Sequence, residues 1–312
     1  PPSLPRQAIR RYLVPVYDHR YRGWSGERRS GRFRIWTVAR FALGDLWKSR
    51  LALLLFIVAL LPPLFFAGMI YLASNVEMLT AVGFNVNGEG VDASWMAIDK
   101  EPFFWFLVWQ SSFAFFLSAF IGPTLVAPDL AHNALPLYLS RPLRRSDYIL
   151  GKLLVLLLPL SAVTWIPGLL LLGLQTSLAG PGWLGEHWRL VPAVVLGSWI
   201  WILLLAVLAI AISAWVKWRP VATGMLFGLF ILGEAYGKAI EEIAGFRWGK
   251  LLAMDDVVQT IWASLFGGID FLGQEYPSNP LPLAACWTML ALILGAAVWM
   301  LHRKVRACEV SR

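Results

Sequence analysis

Residues 190–216 read LVPAVVLGSWIWILLLAVLAIAISAWV, a run of 27 residues without Asp, Glu, Lys or Arg. A helix rises about 1.5 Å per residue, so such a run spans about 40 Å, whereas the hydrocarbon core of a bilayer is about 30 Å thick. A chain that crosses hydrocarbon must satisfy its own backbone polar groups, and a helix does so within one segment. This stretch therefore predicts a transmembrane α-helix.

Five further uncharged runs occur along the 312-residue chain, at 51–76, 102–128, 153–185, 220–233 and 276–302. All except 220–233 exceed the roughly 20 residues that a crossing helix needs. Hydrophobic residues make up 58% of the chain and charged residues only 15%, a composition that excludes a soluble domain of this length. We expect an all-α integral membrane protein with six transmembrane helices.

The basic residues are divided unevenly between the two sides that six spans define. Of the 27 lysines and arginines, 22 lie on one side, in the segments 1–50, 128–152, 217–219 and 303–312. We call this side the basic end and the other side the acidic end. The positive-inside rule puts the basic end, with both termini, in the cytoplasm, and we expect a multi-pass protein of a bacterial plasma (inner) membrane. The net charge of +8 follows from this topology and from attraction to anionic lipid, so it requires no nucleic acid partner.

The uncharged runs and the charges between them divide the chain into segments. Residues 1–31 are rich in Pro, Arg and Gly, and we expect an irregular basic cytoplasmic N-terminus. An amphipathic interfacial helix at 32–50 precedes a transmembrane domain at 51–303, and 304–312 form a cytoplasmic tail. Within the domain we expect spans at about 51–73, 103–127, 149–174, 191–216, 220–238 and 281–302, a cytoplasmic loop at 128–148 and an extracytoplasmic amphipathic segment at 239–280.

The segment 32–50 carries an apolar face and a basic face at helical spacing. Trp36, Leu43 and Trp47 fall on the apolar side of such a helix, and Arg40 falls on the opposite side. This pattern is typical of a helix that lies in the inner headgroup region. An ordinary juxtamembrane helix is the alternative.

The fifth span is too short unless its helix continues beyond Glu234. The 14 uncharged residues from Pro220 cover only about 21 Å, so the helix either runs on to Lys238 or breaks within the membrane. A carboxylate inside the membrane is costly, which makes Glu234 a candidate for a transport pathway; an i,i+4 ion pair with Lys238 near the interface is the alternative.

Gly224 and Gly228 have the GxxxG spacing that lets helices approach closely, so they form a candidate dimer seam, although this spacing is also common by chance.

Two features predict departures from straight crossing helices. Pro62 and Pro63 lie in the middle of the first span and predict a kink there, which is either a hinge or a tolerated bend. In 239–280, Met254, Val258 and Ile261 recur at helical spacing and predict an amphipathic helix that rests on, or dips into, the outer leaflet.

The sequence contains no recognisable catalytic or metal-binding motif. Its four histidines lie in separate segments, and no HExxH or other paired metal spacing occurs. The nearest match to a phosphate-binding loop, GERRSGRF at 26–33, lacks the required Lys-Ser/Thr pair and a preceding apolar strand. We therefore expect no enzyme activity, no cofactor and no metal in this chain.

The stretch LYLSRPLRRSDYILGK, residues 137–152, lies between the second and third spans. A short cytoplasmic loop with aromatic, apolar and arginine side chains suits docking into a groove of another protein, because aromatic and Arg side chains anchor interfaces. An ordinary positive-inside loop is the alternative.

This loop resembles that of type-two ATP-binding-cassette (ABC) export permeases. The residues Ser140-Arg141-Pro142, Arg145 and Leu150-Gly151-Lys152 match the family's Ser-Arg-Pro, Arg and Leu-Gly-Lys motif. The charged N-terminal helix, the tight hairpin between spans four and five and the short fifth span also resemble the family. Asn133-Ala134 stand where the family usually has Gly-Thr, and Leu130 where Arg is frequent. The closest subgroup serves the maturation of multi-copper enzymes, but no metal-ligand cluster in this sequence supports a role for copper.

The resemblance implies the permease subunit of a transporter that exports an unidentified substrate. It implies a separate cytoplasmic ATPase subunit that holds ATP and Mg²⁺, a second permease subunit in a homo- or heterodimer, and an accessory envelope protein as a further candidate partner. The alternatives are ATP-driven mechanotransmission to another envelope protein and, in a different class, a secondary transporter or channel, which the scarcity of ionisable residues in the spans disfavours. Carried over from the family, the ATPase-coupling residues are Asp129, Tyr138, Leu139, Ser140, Arg141, Pro142, Arg144 and Arg145.

Overall fold

The computed structural model describes residues 33–75, 99–131, 145–216, 218–271, 274–277 and 280–304. In this part of the chain six helices are long and apolar enough to cross a membrane. The prediction of a helical, multi-pass membrane protein with six spans is therefore confirmed.

The helices follow one another in the order expected for six crossings. Helix α1 (Phe33–Leu46) precedes span 1, which consists of α2 (Arg50–Val58) and α3 (Leu61–Ala73). Span 2 is α4 (Glu101–Ala131), and span 3 consists of α5 (Arg145–Val163) and α6 (Trp165–Ala179), followed by the short α7 (Pro181–Glu186). Spans 4 and 5 are α8 (Leu190–Trp215) and α9 (Arg219–Ala244). Span 5 is followed by a 3₁₀ helix (Arg247–Leu252) and α10 (Met254–Leu265). The antiparallel strands β1 (Ile269–Phe271) and β2 (Gln274–Tyr276) come next, and the last element is span 6, α11 (Leu283–Lys304).

Span 4 lies at the centre of the bundle, in contact with spans 2, 3, 5 and 6 and with α10. Nearly all of its residues from Trp201 to Ala214 are buried, which explains why the sequence is apolar on every face of this helix. The indole of Trp201, in the buried part of span 4, donates to the carbonyl oxygen of Ser111 in span 2 at 3.0 Å.

Span 1 is interrupted where the prolines predicted a kink. Helix α2 ends at Val58 and α3 begins at Leu61. Because Pro63 has no N–H, the carbonyl of Ala59 has no donor four residues later in its own helix. The side-chain amide of Gln110, in span 2, donates to that carbonyl at 2.9 Å. A side chain of the neighbouring span thus satisfies the backbone group that the proline leaves unpaired.

Span 2 contains a similar arrangement around Pro123. The carbonyl of Ala119 lacks the N–H of Pro123 and instead accepts a hydrogen bond from the Thr223 hydroxyl of span 5, at 3.0 Å. One turn later, the Ser213 hydroxyl of span 4 accepts from the N–H of Ala127 at 2.9 Å and lies 3.4 Å from the Pro123 carbonyl oxygen. Spans 4 and 5 therefore both bond to the irregular backbone of span 2.

Span 5 continues through Glu234 without a break and ends at Ala244, where Gly245 adopts a left-handed conformation with φ of 63°. Its final turns pack closely against the 3₁₀ helix. A β-carbon at Gly233 would lie 2.5 Å from the carbonyl oxygen of Leu252, and one at Gly237 would lie 3.0 Å from that of Gly249. Gly233 and Gly237, which also have GxxxG spacing, therefore make a tight contact within the described part of the chain.

Helix α10 packs on protein rather than on the outer leaflet. Its apolar residues Val258, Ile261 and Trp262 are all buried. The Trp262 indole donates to the carbonyl oxygen of Gly197 in span 4 at 2.9 Å, and a β-carbon at Gly197 would lie 3.1 Å from the same ring. The amphipathic pattern is as expected, but the adjacent spans cover its apolar face because Gly197 leaves room for the indole.

Candidate functional site

The two ends of the segment between spans 2 and 3 are joined by a buried polar cluster. Asp129 lies in the last turn of span 2, and Tyr148 and Lys152 lie one turn apart on the same face of span 3. The Lys152 ammonium is 2.8 Å from Asp129 Oδ2, and the Tyr148 hydroxyl donates to the same oxygen at 2.7 Å. We call Asp129, Tyr148 and Lys152 the loop clamp.

The loop clamp is shielded from solvent. The side chains of Lys152 and Asp129 are 9% and 16% exposed, and the Tyr148 ring is buried with the ammonium 5.6 Å from its centre. A charge in such surroundings is costly unless it is paired and hydrogen-bonded, as both charges are here. Removing one member would leave the other charge without its partner, so the three side chains hold the ends of spans 2 and 3 together as a unit.

Helix α1 contacts span 3 beside the loop clamp. Gly151 lies between Tyr148 and Lys152, and a β-carbon there would lie 2.9 Å from the Val38 β-carbon and 3.3 Å from the Ile35 carbonyl oxygen. Ala39, in the same part of α1, is fully buried. Only a glycine permits this close approach, so α1 is in direct contact with span 3 beside the loop clamp.

The residues predicted for the interfacial helix lie on the surface of the protein. Trp36, Arg40 and Trp47 are all exposed, and Trp47 also contacts the edge of Phe56 in span 1, with ring centres 5.2 Å apart. The structure thus presents aromatic and basic side chains outward from the bundle at its basic end. This surface suits either a bilayer interface or a protein partner.

A cavity of about 780 Å³ lies between α1 and spans 1, 2, 3 and 5 at the basic end. Asp129 and Lys152 form part of its wall, so the loop clamp borders this cavity. Arg219, the first residue of span 5, also lines it. We call this space the basic-end cavity.

Most of the predicted ATPase-coupling residues fall in a segment outside the described part of the chain. These are Tyr138, Leu139, Ser140, Arg141, Pro142 and Arg144, and their roles stay predictions. Arg145 is the first residue of α5. Within the predicted set, the structure shows the contacts of Asp129. Its partners Tyr148 and Lys152 were not predicted to act with it. The available signal was a Tyr and a Lys four residues apart, following an acidic residue across the loop.

The other predicted residues lie on span 5. Glu234 forms an ion pair with Lys238 at 2.6 Å, and both side chains are about half exposed. A β-carbon at Gly224 would meet no atom within 4 Å, and one at Gly228 would meet only Leu232 of the same helix, at 4.0 Å. The described part of the chain leaves this glycine face uncovered, and its role as a dimer seam stays a prediction.

A group of acidic residues lies at the acidic end, around the start of α10. Burial, followed by the negative charges of Glu234 and Asp256, raises the pKa of Asp255 to about 6. Burial also raises the pKa of Asp256. Lys250 forms an ion pair with Glu241 at 3.0 Å. Among the described residues, no three His, Cys, Asp or Glu side chains are grouped as a metal site would require.

The sequence matches no protein-family model and no curated protein. Support for a function therefore comes from the loop clamp, the contact of α1 with span 3 and the sequence of the loop itself.

Proposed function

We propose that this chain is the membrane-spanning permease subunit of an ABC exporter in a bacterial plasma membrane, with its basic end in the cytoplasm. The observation that carries the proposal is the loop clamp. A loop that binds a motor subunit must pass force to the bundle through its two ends, and both ends are fixed to each other by the pair Asp129–Lys152 at 2.8 Å. An ordinary connecting loop does not require such a buried ion pair, since exposed loop ends are hydrated.

The proposed mechanism begins in a separate ATPase subunit that holds ATP and Mg²⁺. Tyr138 and Leu139 fill a groove of that subunit, and Arg141, Arg144 and Arg145 orient the loop against it. When two ATPase subunits close on nucleotide, the loop moves and carries the loop clamp with it. Because Gly151 allows α1 to contact span 3 directly, α1 moves together with the ends of spans 2 and 3.

Inside the membrane, the proline sites of spans 1 and 2 provide places where the helices can bend. At each site a side chain from a neighbouring span satisfies the unpaired carbonyl: Gln110 bonds to Ala59, and Thr223 bonds to Ala119. A change of bend therefore does not expose a backbone group to hydrocarbon, which would be costly. Movement at the loop clamp is passed from span 2 to span 1 through Gln110 and to span 5 through Thr223.

A second permease subunit completes the transporter in this proposal. The face of span 5 that carries Gly224 and Gly228 has no described neighbour within the chain, and GxxxG faces permit close helix contacts. We assign this face to the contact between the two permease subunits. The substrate is left as an unidentified molecule that leaves the cell.

The proposal is tested by co-purification with the ATPase subunit that we expect the adjacent reading frame to encode. The charge-reversal pair Arg141→Glu and Arg145→Glu should reduce recovery of the ATPase by about tenfold or more, because arginine anchors at interfaces contribute about 2 kcal/mol or more each. The matched control is the pair Arg50→Glu and Arg303→Glu, which reverses two arginines at the same end of the bundle outside the loop. Wild-type recovery with the loop variant, or equal loss with the control, would contradict the proposal.

A further inference from the structure

The basic-end cavity has an amphiphilic wall. Phe41 of α1, Leu51 of span 1 and Phe120 of span 2 provide apolar surface, whereas Ser49 and Thr124 place hydroxyl groups in the same wall. Its volume of about 780 Å³ lies within the roughly 300–1,000 Å³ of cavities that hold small organic ligands. A ligand of this cavity must therefore combine an apolar part with a polar part.

The wall of the cavity carries one positive charge that has no partner among the described residues. Asp129 is paired with Lys152 at 2.8 Å, and Asp45 is paired with Lys48 at 3.0 Å. Arg219 lines the same space and forms no ion pair within the described part of the chain. The polar part of the ligand is therefore expected to be anionic, and the planar guanidinium favours a phosphate or carboxylate.

The cavity lies at the level expected for the headgroup region of a bilayer. Arg219 is the first residue of span 5, and the Trp218 before it is 75% exposed, as interfacial tryptophans commonly are. The remaining wall comes from the ends of spans 1, 2 and 3 at the same end of the bundle and from α1. Lipid phosphates and glycerol backbones occupy this level of a membrane.

We propose that the basic-end cavity binds an anionic phospholipid of the surrounding bilayer. The phosphate lies on Arg219, the glycerol backbone is within reach of Ser49 and Thr124, and the beginning of the acyl chains contacts Phe41 and Phe120. A lipid in this position bridges α1 to spans 2 and 5. This inference goes beyond the proposed transport function and does not depend on the presence of an ATPase subunit.

The test uses the purified full chain and native mass spectrometry. The probes are phosphatidylglycerol and phosphatidylcholine with identical acyl chains, which differ in net charge. We expect the wild-type chain to retain one phosphatidylglycerol in preference to phosphatidylcholine. Arg219→Gln should weaken that retention about tenfold, equivalent to about 1.4 kcal/mol. Arg50→Gln is the matched control, since Arg50 lies between the lining residues Ser49 and Leu51 and does not itself line the cavity. It should leave retention unchanged.

Two further variants separate charge from folding and from cavity volume. Arg219→Lys keeps the charge and should retain most of the binding, whereas Ala42→Phe fills part of the cavity, keeps Arg219 and should weaken binding. Equal retention of the two lipids by the wild-type chain would overturn the inference, as would undiminished retention by Arg219→Gln or Ala42→Phe. Glycerol 3-phosphate, which has no acyl chains, should not displace the lipid at equal concentration. If it does, the site recognises free phosphate and the lipid assignment is wrong.

Discussion

At the residue scale, the buried pair Lys152–Asp129 decides how firmly the loop ends are held. We expect Lys152→Met to lower the free energy of unfolding by about 2–3 kcal/mol, because Asp129 is left with its charge shielded from water and without a cation. The double variant Asp129→Asn and Lys152→Met should recover much of this loss, since no uncompensated charge remains. Denaturant or thermal unfolding in detergent measures both effects.

A matched control for this pair is present in the same region. Lys48→Met removes a cation from Asp45, but both side chains of that pair are 79% exposed, so solvent already screens the interaction. The control should unfold as the wild type does. A loss equal to that of Lys152→Met would show that the loop clamp has no special role in stability.

The raised pKa of Asp255 predicts that the stability of the protein depends on pH. Burial, followed by the charges of Glu234 and Asp256, raises its pKa from 3.8 to about 6. The folded protein therefore binds the carboxyl proton of Asp255 more tightly than the unfolded chain does. The stability that this group contributes is complete below pH 3.8 and is lost as the pH rises through about 6. Asp255→Asn should raise the unfolding temperature at pH 7 by about 2–4 °C and flatten the pH profile in this interval.

The control for Asp255 is Asp270→Asn, an exposed position on β1 near the same end of the bundle. It should leave the unfolding temperature and the pH profile as in the wild type. If Asp255→Asn lowers the unfolding temperature at pH 7, the ionised carboxylate is favoured by the fold and the assignment of its raised pKa is wrong.

At the element scale, the interruption of span 1 depends on a bond from span 2. Gln110→Leu should cost about 1 kcal/mol, because the Ala59 carbonyl that lacks a donor from Pro63 then has no partner. In a Pro63→Ala background the backbone N–H returns and can donate to that carbonyl. The cost of Gln110→Leu should largely disappear there, and a double-mutant cycle of unfolding free energies measures the difference. An unchanged cost in both backgrounds would show that Gln110 acts through packing alone.

The contact of α1 with span 3 gives a second prediction at this scale. Gly151→Val places side-chain atoms where Val38 and the Ile35 carbonyl already lie, and overpacking of this kind costs about 1–3 kcal/mol. Gly173→Val is the matched control in the same span, since a β-carbon at Gly173 meets nothing within 4 Å. We expect a lower unfolding temperature only for Gly151→Val. If the complex forms with the ATPase, this variant should also reduce stimulated ATP hydrolysis.

At the scale of the whole molecule, the pattern of uncharged runs was sufficient to predict six spans. It was insufficient for the length of span 5, because that helix is extended by contacts distant in sequence. Gly233 and Gly237 pack against the backbone of the 3₁₀ helix Arg247–Leu252. Sequence periodicity reports that a face is apolar but not whether lipid or protein covers it, which is why α10 was expected on the leaflet and is found against span 4.

The candidate site was only partly predictable for a related reason. The resemblance to the permease loop pointed to the loop and to Asp129. Tyr148 and Lys152 become partners of Asp129 only when spans 2 and 3 lie side by side. The proline sites were visible as Pro63 and Pro123, whereas the donors that satisfy the freed carbonyls come from other spans. Local patterns indicate which groups need a partner, and the packing of the helices determines which residue supplies it.

The central claim is that the segment between spans 2 and 3 faces the cytoplasm and binds a separate ATPase subunit. The most direct test is photo-crosslinking in intact cells, with a photoreactive amino acid in place of Tyr138 and, as control, in place of Tyr236, an exposed residue towards the acidic end of span 5. We predict that position 138 forms an adduct with a protein that carries a GxxxxGK[ST] nucleotide-binding motif, and that position 236 does not. An adduct of position 138 with an extracytoplasmic protein, or equal recovery of the ATPase from both positions, would contradict the account.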